Sequence, residues 1–133
     1  MSEDAKRLVR DWLDLVASGP AEAWAGRVAE DVVLRLPFAP PGVAGELRGK
    51  AAAIAALSPM WQGNARFDWR DVVVRRTEDA ELLLTTARSE VLLRSGASYA
   101  NSYVMLTRIR AGQVVEHVEH FNPLPVIAAF GGG

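Results

Sequence analysis

The apolar positions of the chain first recur at helical spacing, with Leu8, Val9, Trp12, Leu13, Leu15 and Val16 on one stripe. Ser2 stands where an N-cap belongs, Glu3 and Asp4 follow where a helix dipole favours anions, and Ser18-Gly19-Pro20 ends the run. Pro20 then opens a second, shorter helix predicted through Val28, with Trp24 and Val28 on its buried side. Asp31 follows in a polar break. From Val32 to Leu36 the pattern is strand-like, and Pro37, Pro40, Pro41 and Gly42 predict an irregular loop to about Gly49. Lys50–Leu57 is Ala-rich and helical, closed by Ser58-Pro59, so Met60 and Trp61 should pack beneath it.

Four strand-like runs complete the pattern, at about Arg66–Thr77, Glu81–Leu93, Ser98–Arg110 and Gln113–Phe121. The segments between them are short enough to be hairpin turns, so the sheet should be mainly antiparallel. Helices followed by a meander predict an α+β architecture, with helices covering one face of a curved sheet. The last run holds both histidines. Alternation puts Val115, His117, Glu119 and Phe121 on one face, and Val114, Glu116, Val118 and His120 on the other.

Composition narrows the picture. With 133 residues, half of them hydrophobic, the chain (1–133) is expected to form one domain around a single core. A net charge of -1 offers no basic excess for phosphates, so nucleic-acid binding is not expected. The absence of cysteine excludes disulfides and thiolate chemistry. The N-terminal stretch is too charged for a signal peptide and no apolar run is long enough to cross a bilayer, so a soluble cytoplasmic protein without a membrane partner is expected.

Several motifs, taken in order, resemble a known group. Pro59 and Trp61 precede Phe67-Asp68-Trp69, then come Tyr99-Ala100-Asn101-Ser102-Tyr103 and Glu119-His120-Phe121-Asn122-Pro123. The order of elements and these motifs resemble the nuclear transport factor 2-like superfamily, and within it the SnoaL-like proteins. The latter include polyketide cyclases, with ketosteroid isomerase in wider relation, and the similarity is greatest to the phenazine-biosynthesis A/B type. The resemblance implies a cone-shaped α+β barrel curled around a deep apolar pocket, a homodimer, and either acid/base chemistry without metal or organic cofactor or simple ligand binding. It also implies a catalytic role for Glu119. The phenazine type draws a histidine from mid-chain, and none precedes His117 here. Ketosteroid isomerase places its base where this chain reads Leu36-Pro37 and its oxyanion tyrosine near Trp12, so neither residue is carried over.

The residues themselves suggest the same site. A carboxyl facing an apolar pocket loses hydration, which raises its pKa toward the range useful for proton transfer, and Glu119 suits that role. His117, one pleat away on the same face, is placed to shuttle the proton or to hold the carboxylate. Asn101 and Tyr103 on the neighbouring strand are candidates to polarise a carbonyl, while Phe121, Trp12, Trp61 and Met105 are candidate pocket wall. Each has a plainer reading: Glu119 paired with an arginine, His117 a satisfied structural histidine, Asn101 stitching a turn to the sheet, the aromatics simply core. Glu116 and His120 are expected at the surface or an interface, and Asp31 and Glu90 are outside candidates. A metal is not expected, because His120 points away from His117 and Glu119. The function classes left open are a cofactor-independent isomerase, cyclase or condensing enzyme acting on a small carbonyl compound, a non-catalytic small-molecule binding protein, and a dimerisation module with a plugged pocket.

Overall fold

The computed structural model describes residues 2–130 without the side chain of residue 2, so the Ser2 cap and the glycine tail at 131–133 lie outside the described residues. Helix α1 spans Ser2–Ser18 and buries Val9, Trp12, Leu13 and Val16, the predicted stripe. The second helix predicted through Val28 is instead one 3-10 turn, Ala21–Trp24. Gly26, at φ +74, turns the chain out of helical geometry, and Val28 becomes the first residue of strand β1, Val28–Arg35. The predicted loop contains a short strand β2, Glu46–Arg48, paired antiparallel to β1.

Helix α2 runs from Lys50 to Gly63, through the proline expected to end it. A proline inside a helix removes one backbone donor. Ser58 donates its hydroxyl to the Ile54 carbonyl at 2.7 Å just before the proline, and Trp61 anchors the last turn by donating to the Val16 carbonyl at 2.9 Å. Strands β3 (Asn64–Arg76), β4 (Leu82–Leu93), β5 (Ser98–Arg110) and β6 (Gln113–Phe121) follow as the predicted meander. A short helix α3, Pro123–Ala129, follows β6; the pattern did not reveal it. It starts where the Asn122 side chain accepts from the Leu124 N–H at 3.0 Å, with proline in its first turn.

The six strands form one sheet in the order β2-β1-β6-β5-β4-β3, antiparallel except for the β1–β6 pair, which is parallel. Three one-residue offsets break strict alternation. Ala65 is extra on β3 opposite the Leu92–Leu93 step, a second offset lies between Arg70 and Val73 where Asp71 adopts φ 53, and Val115 is extra on β6 opposite Arg108 and Ile109. The third corrects the predicted faces: Val114 lies in the core with His117 and not on the outer side.

The helices cover the inner face of the sheet. Trp12, Trp24, Leu34, Met105 and Val114 are at most 3% exposed in the main core, where the Trp12 and Trp24 rings meet edge to face at 5.1 Å. The outer face carries charge in alternating signs. Glu46 binds Arg35 and Arg48, Arg35 and Arg108 both pair with Glu116, and Arg108 continues to Asp79 and Glu81, the latter holding Arg110. This ribbon contains four arginines and four carboxylates, so it is neutral.

Gly19 tests how closely α1 and α2 approach. Its φ is +67, and a Cβ there would stand 2.8 Å from the Trp61 ring. Gly19→Ala is expected to destabilise the fold by about 1–3 kcal/mol, from left-handed backbone strain and the clash. A urea midpoint equal to that of the unaltered protein would contradict this.

Candidate functional site

Three inward-facing side chains of β5 and β6 form a chain. The Thr107 hydroxyl lies 2.9 Å from His117 Nδ1, and His117 Nε2 lies 3.1 Å from Glu119 Oε1. Thr107 and His117 are directly opposite in the hairpin, and Glu119 faces Met105 one pleat further on. His117 is 1% exposed, with Trp12 edge-on to it at 5.4 Å, whereas the Glu119 side chain retains 18% exposure. The carboxylate is therefore the outer end of the chain and the imidazole its interior. With the proton on Nε2, the imidazole donates to Glu119 and Thr107 donates to Nδ1, which satisfies both ring nitrogens.

A second polar pair lies beside the first. Tyr103, 7% exposed, shares a 2.9 Å hydrogen bond with Ser89, and its ring touches Trp69 at 5.0 Å and Phe121 at 6.4 Å. Burial raises the Tyr103 phenol well above its ordinary range; the Ser89 hydrogen bond opposes this, and the Glu119 charge adds to it. Burial, with the Glu119 charge behind it, likewise pushes the Tyr99 phenol up to about 12. Both tyrosines therefore stay protonated near neutral pH.

The structure gathers His117, Glu119, Trp12, Met105, Tyr103 and Phe121 on the inner face. Trp61 stands apart beside Trp24, whose ring it meets at 5.8 Å. Asn101 stitches β5 to the turn before α3, donating to the Asn122 carbonyl at 2.9 Å and accepting from the Asn122 N–H at 3.1 Å. Glu116 and His120 face outward, the first paired with Arg35 and Arg108, the second beside the Val104 carbonyl and the exposed Phe38 ring. Glu90 pairs with Arg70 at 3.5 Å on the outer side, and Asp31 is exposed. Among the described residues no group of three His, Cys, Asp or Glu is placed to hold a metal.

Thr107, Ser89 and Tyr99 complete the site; the first two were not singled out from the sequence, and Tyr99 stood there only as part of the Tyr99–Tyr103 motif. Thr107 was recoverable from hairpin register, counting back from the Ala111-Gly112 turn, once the Val115 offset is allowed for. The implied deep pocket does not coincide with either described cavity. One, of about 340 Å3, is an open groove between α1 and β3 lined by Lys6, Arg7, Arg10 and Val72–Val74, with Glu3 at its rim. The other, about 20 Å3, lies under α1 against Trp12 and Val114. Neither includes Glu119 or His117, and large side chains fill the interior behind them: Trp12, Trp24, Leu83 and Met105 are each at most 2% exposed.

A model of the SnoaL-like domain matches residues 9–117, so Glu119 lies just past the end of that match. An uncharacterised PhzA/B-like protein of Pseudomonas aeruginosa is 28% identical over 130 residues, covering 97% of this chain and 92% of that protein. A Bacillus subtilis crystal structure, provisionally named an isomerase, matches with TM-score 0.84 and 25% identity over 98% of this chain and 95% of its own. An NTF2-like protein from Burkholderia xenovorans gives 0.76 at 19% identity, over 96% and 95%. The cone-like α+β fold is thus shared with NTF2-like proteins.

The phenols give a pH prediction. Tyr99 and Tyr103 are the two tyrosines of the chain, and both have raised pKa values when folded. Their stabilising contribution is complete below the ordinary value of 10.0 and is lost as pH rises through the folded values, about 12 for Tyr99. Phenolate absorbance should therefore show almost no ionisation at pH 10.0 while circular dichroism remains native. Half-ionised phenols in the folded protein at that pH would overturn the assignment.

Proposed function

The chain belongs to the SnoaL-like domain family, and on that premise we propose that it moves a proton on a small, partly apolar carbonyl compound without a cofactor, as an isomerase, cyclase or condensing enzyme. The observation that supports this is the Thr107–His117–Glu119 chain. A buried polar network in an apolar shell is destabilising unless every member is satisfied, and this one is satisfied with its carboxylate at the outer end.

In the proposed step Glu119 Oε takes a proton from the carbon next to the substrate carbonyl. The C–H electron pair passes into the carbon–carbon bond and the carbonyl π pair moves onto oxygen, giving an enolate. Reprotonation at a different carbon isomerises the compound, whereas attack of that carbon on an electrophile cyclises or condenses it. Ser89 can donate to Tyr103, which leaves the Tyr103 O–H free to donate to the enolate oxygen. His117 is screened from the substrate by burial and acts as a positioning residue, holding the carboxylate through Nε2. Asn101, already bonded to Asn122, supports the site through the turn.

The filled interior favours a second reading, in which the domain serves only as an assembly module and never turns a substrate over. Hydrogen–deuterium exchange at the methyl group of 2-acetonaphthone, followed by proton NMR in heavy water, separates the two. If Glu119 is the base, the protein accelerates exchange and Glu119→Gln lowers the acceleration by about 10²–10⁴-fold with the fold retained. Equal exchange by both proteins would sink the role of Glu119, and no acceleration over buffer would support the assembly reading.

Thr107→Val separates positioning from contact. It keeps the shape of the side chain but leaves His117 Nδ1 without its partner, a loss of about 1–3 kcal/mol in a buried site. The expected outcome is a lower urea midpoint and a displaced pH profile for exchange with KM little changed. An unchanged pH profile would remove Thr107 from the relay.

A further inference from the structure

The inner face of the sheet carries a carboxylate and no lysine or arginine. On β4 and β5 burial alternates so that Arg88, Arg108 and Arg110 project outward, and the inward polar positions of β4, β5 and β6 are Thr85, Ser89, Asn101, Tyr103, Thr107, His117 and Glu119. All 15 lysines and arginines of the chain are among the described residues, and none is buried. The two most enclosed are committed elsewhere: the Lys50 side chain, 15% exposed, pairs with Glu30, and Arg108, 26% exposed, pairs with Asp79 on the outer face. A ligand reaching Glu119 meets one carboxylate, two protonated phenols and half-buried aromatic rings, with no lysine or arginine to balance a negative group and His117 already committed to Glu119.

From this charge arrangement we infer that the ligand is a planar carbonyl compound bearing no anionic group. An ammonium substituent is accepted, and a carboxylate or phosphate is rejected. The inference rests on the reading that Glu119 meets the ligand. Flat rings fit because the rings of Phe67, Trp69 and Tyr103 lie in succession at 4.9 and 5.0 Å, and Phe121 adjoins Tyr103. An ammonium gains from both the carboxylate and the ring faces. A ligand carboxylate would lose its hydration beside a like charge without any compensating donor of opposite charge.

Three matched probes test this by isothermal titration calorimetry: 2-acetonaphthone, its 6-aminomethyl derivative and its 6-carboxylate. The neutral and ammonium compounds should bind at least about tenfold more tightly than the carboxylate, a difference of about 1.4 kcal/mol. In Glu119→Gln the advantage of the ammonium over the neutral compound should vanish while the neutral compound still binds. Equal or tighter binding of the carboxylate overturns the inference, as does failure of all three to bind at millimolar concentration. The expected order without Glu119-dependent exchange would retain the charge selectivity and remove the proton-transfer role. The opposite pattern would retain proton transfer and remove the selectivity.

Discussion

The buried C-terminal end of α1 is the point on which the other elements converge. The last turn of a helix leaves carbonyls without intrahelical partners, and burying them unsatisfied is costly. Here three indoles approach that end: Trp24 donates at 3.3 Å to Leu15, which also accepts from the Gly19 N–H at 2.9 Å, Trp61 donates at 2.9 Å to Val16, whose helical partner would be the N–H that Pro20 lacks, and Trp69 donates at 3.0 Å to Leu13. They come from the 3-10 turn, α2 and β3. One helix end thereby fixes the position of three elements distant in sequence, and each indole contributes apolar burial along with its hydrogen bond. Trp12 transmits the arrangement to the site, because its ring packs on Trp24 and on His117.

The sheet separates two kinds of electrostatics. Its outer side holds a ribbon of alternating charges in contact with water, where single ion pairs contribute little and the main effect is to keep that face hydrated. On its inner side a threonine, a histidine and a glutamate are held among indoles and methylenes, where the same kinds of interaction are stronger and unsatisfied groups more harmful. The alternation of side chains along β5 and β6 produces both from a single hairpin: Arg108 points out next to Thr107 pointing in, and Glu116 points out next to His117 pointing in.

Much of this arrangement was legible in the amino-acid sequence because it depends on periodicity. The stripe of α1, the limits of β5 and β6, and the common face of His117 and Glu119 all follow from 3.6- and 2-residue repeats. Features set by tertiary contact were not legible. Pro59 reads as a helix end, but the helix continues because Trp61 has a distant carbonyl to bind. The short helix α3 lacks the length for a periodic signal and depends on the clamp between Asn101 and Asn122. The filled interior results from how Trp12, Trp24, Leu83 and Met105 pack across elements, which spacing along one strand cannot report.

The extra residue at Val115 separates two duties within one strand. Before it, Val114 packs in the core; after it, His117 and Glu119 form the site. Losing Val115 would leave Val114 opposite Ile109, Glu116 opposite Arg108 and His117 opposite Thr107 in unbroken alternation, with every side chain on its present face. Among relatives, a gap at this point would therefore remove the bulge and its local bend while leaving the site in place.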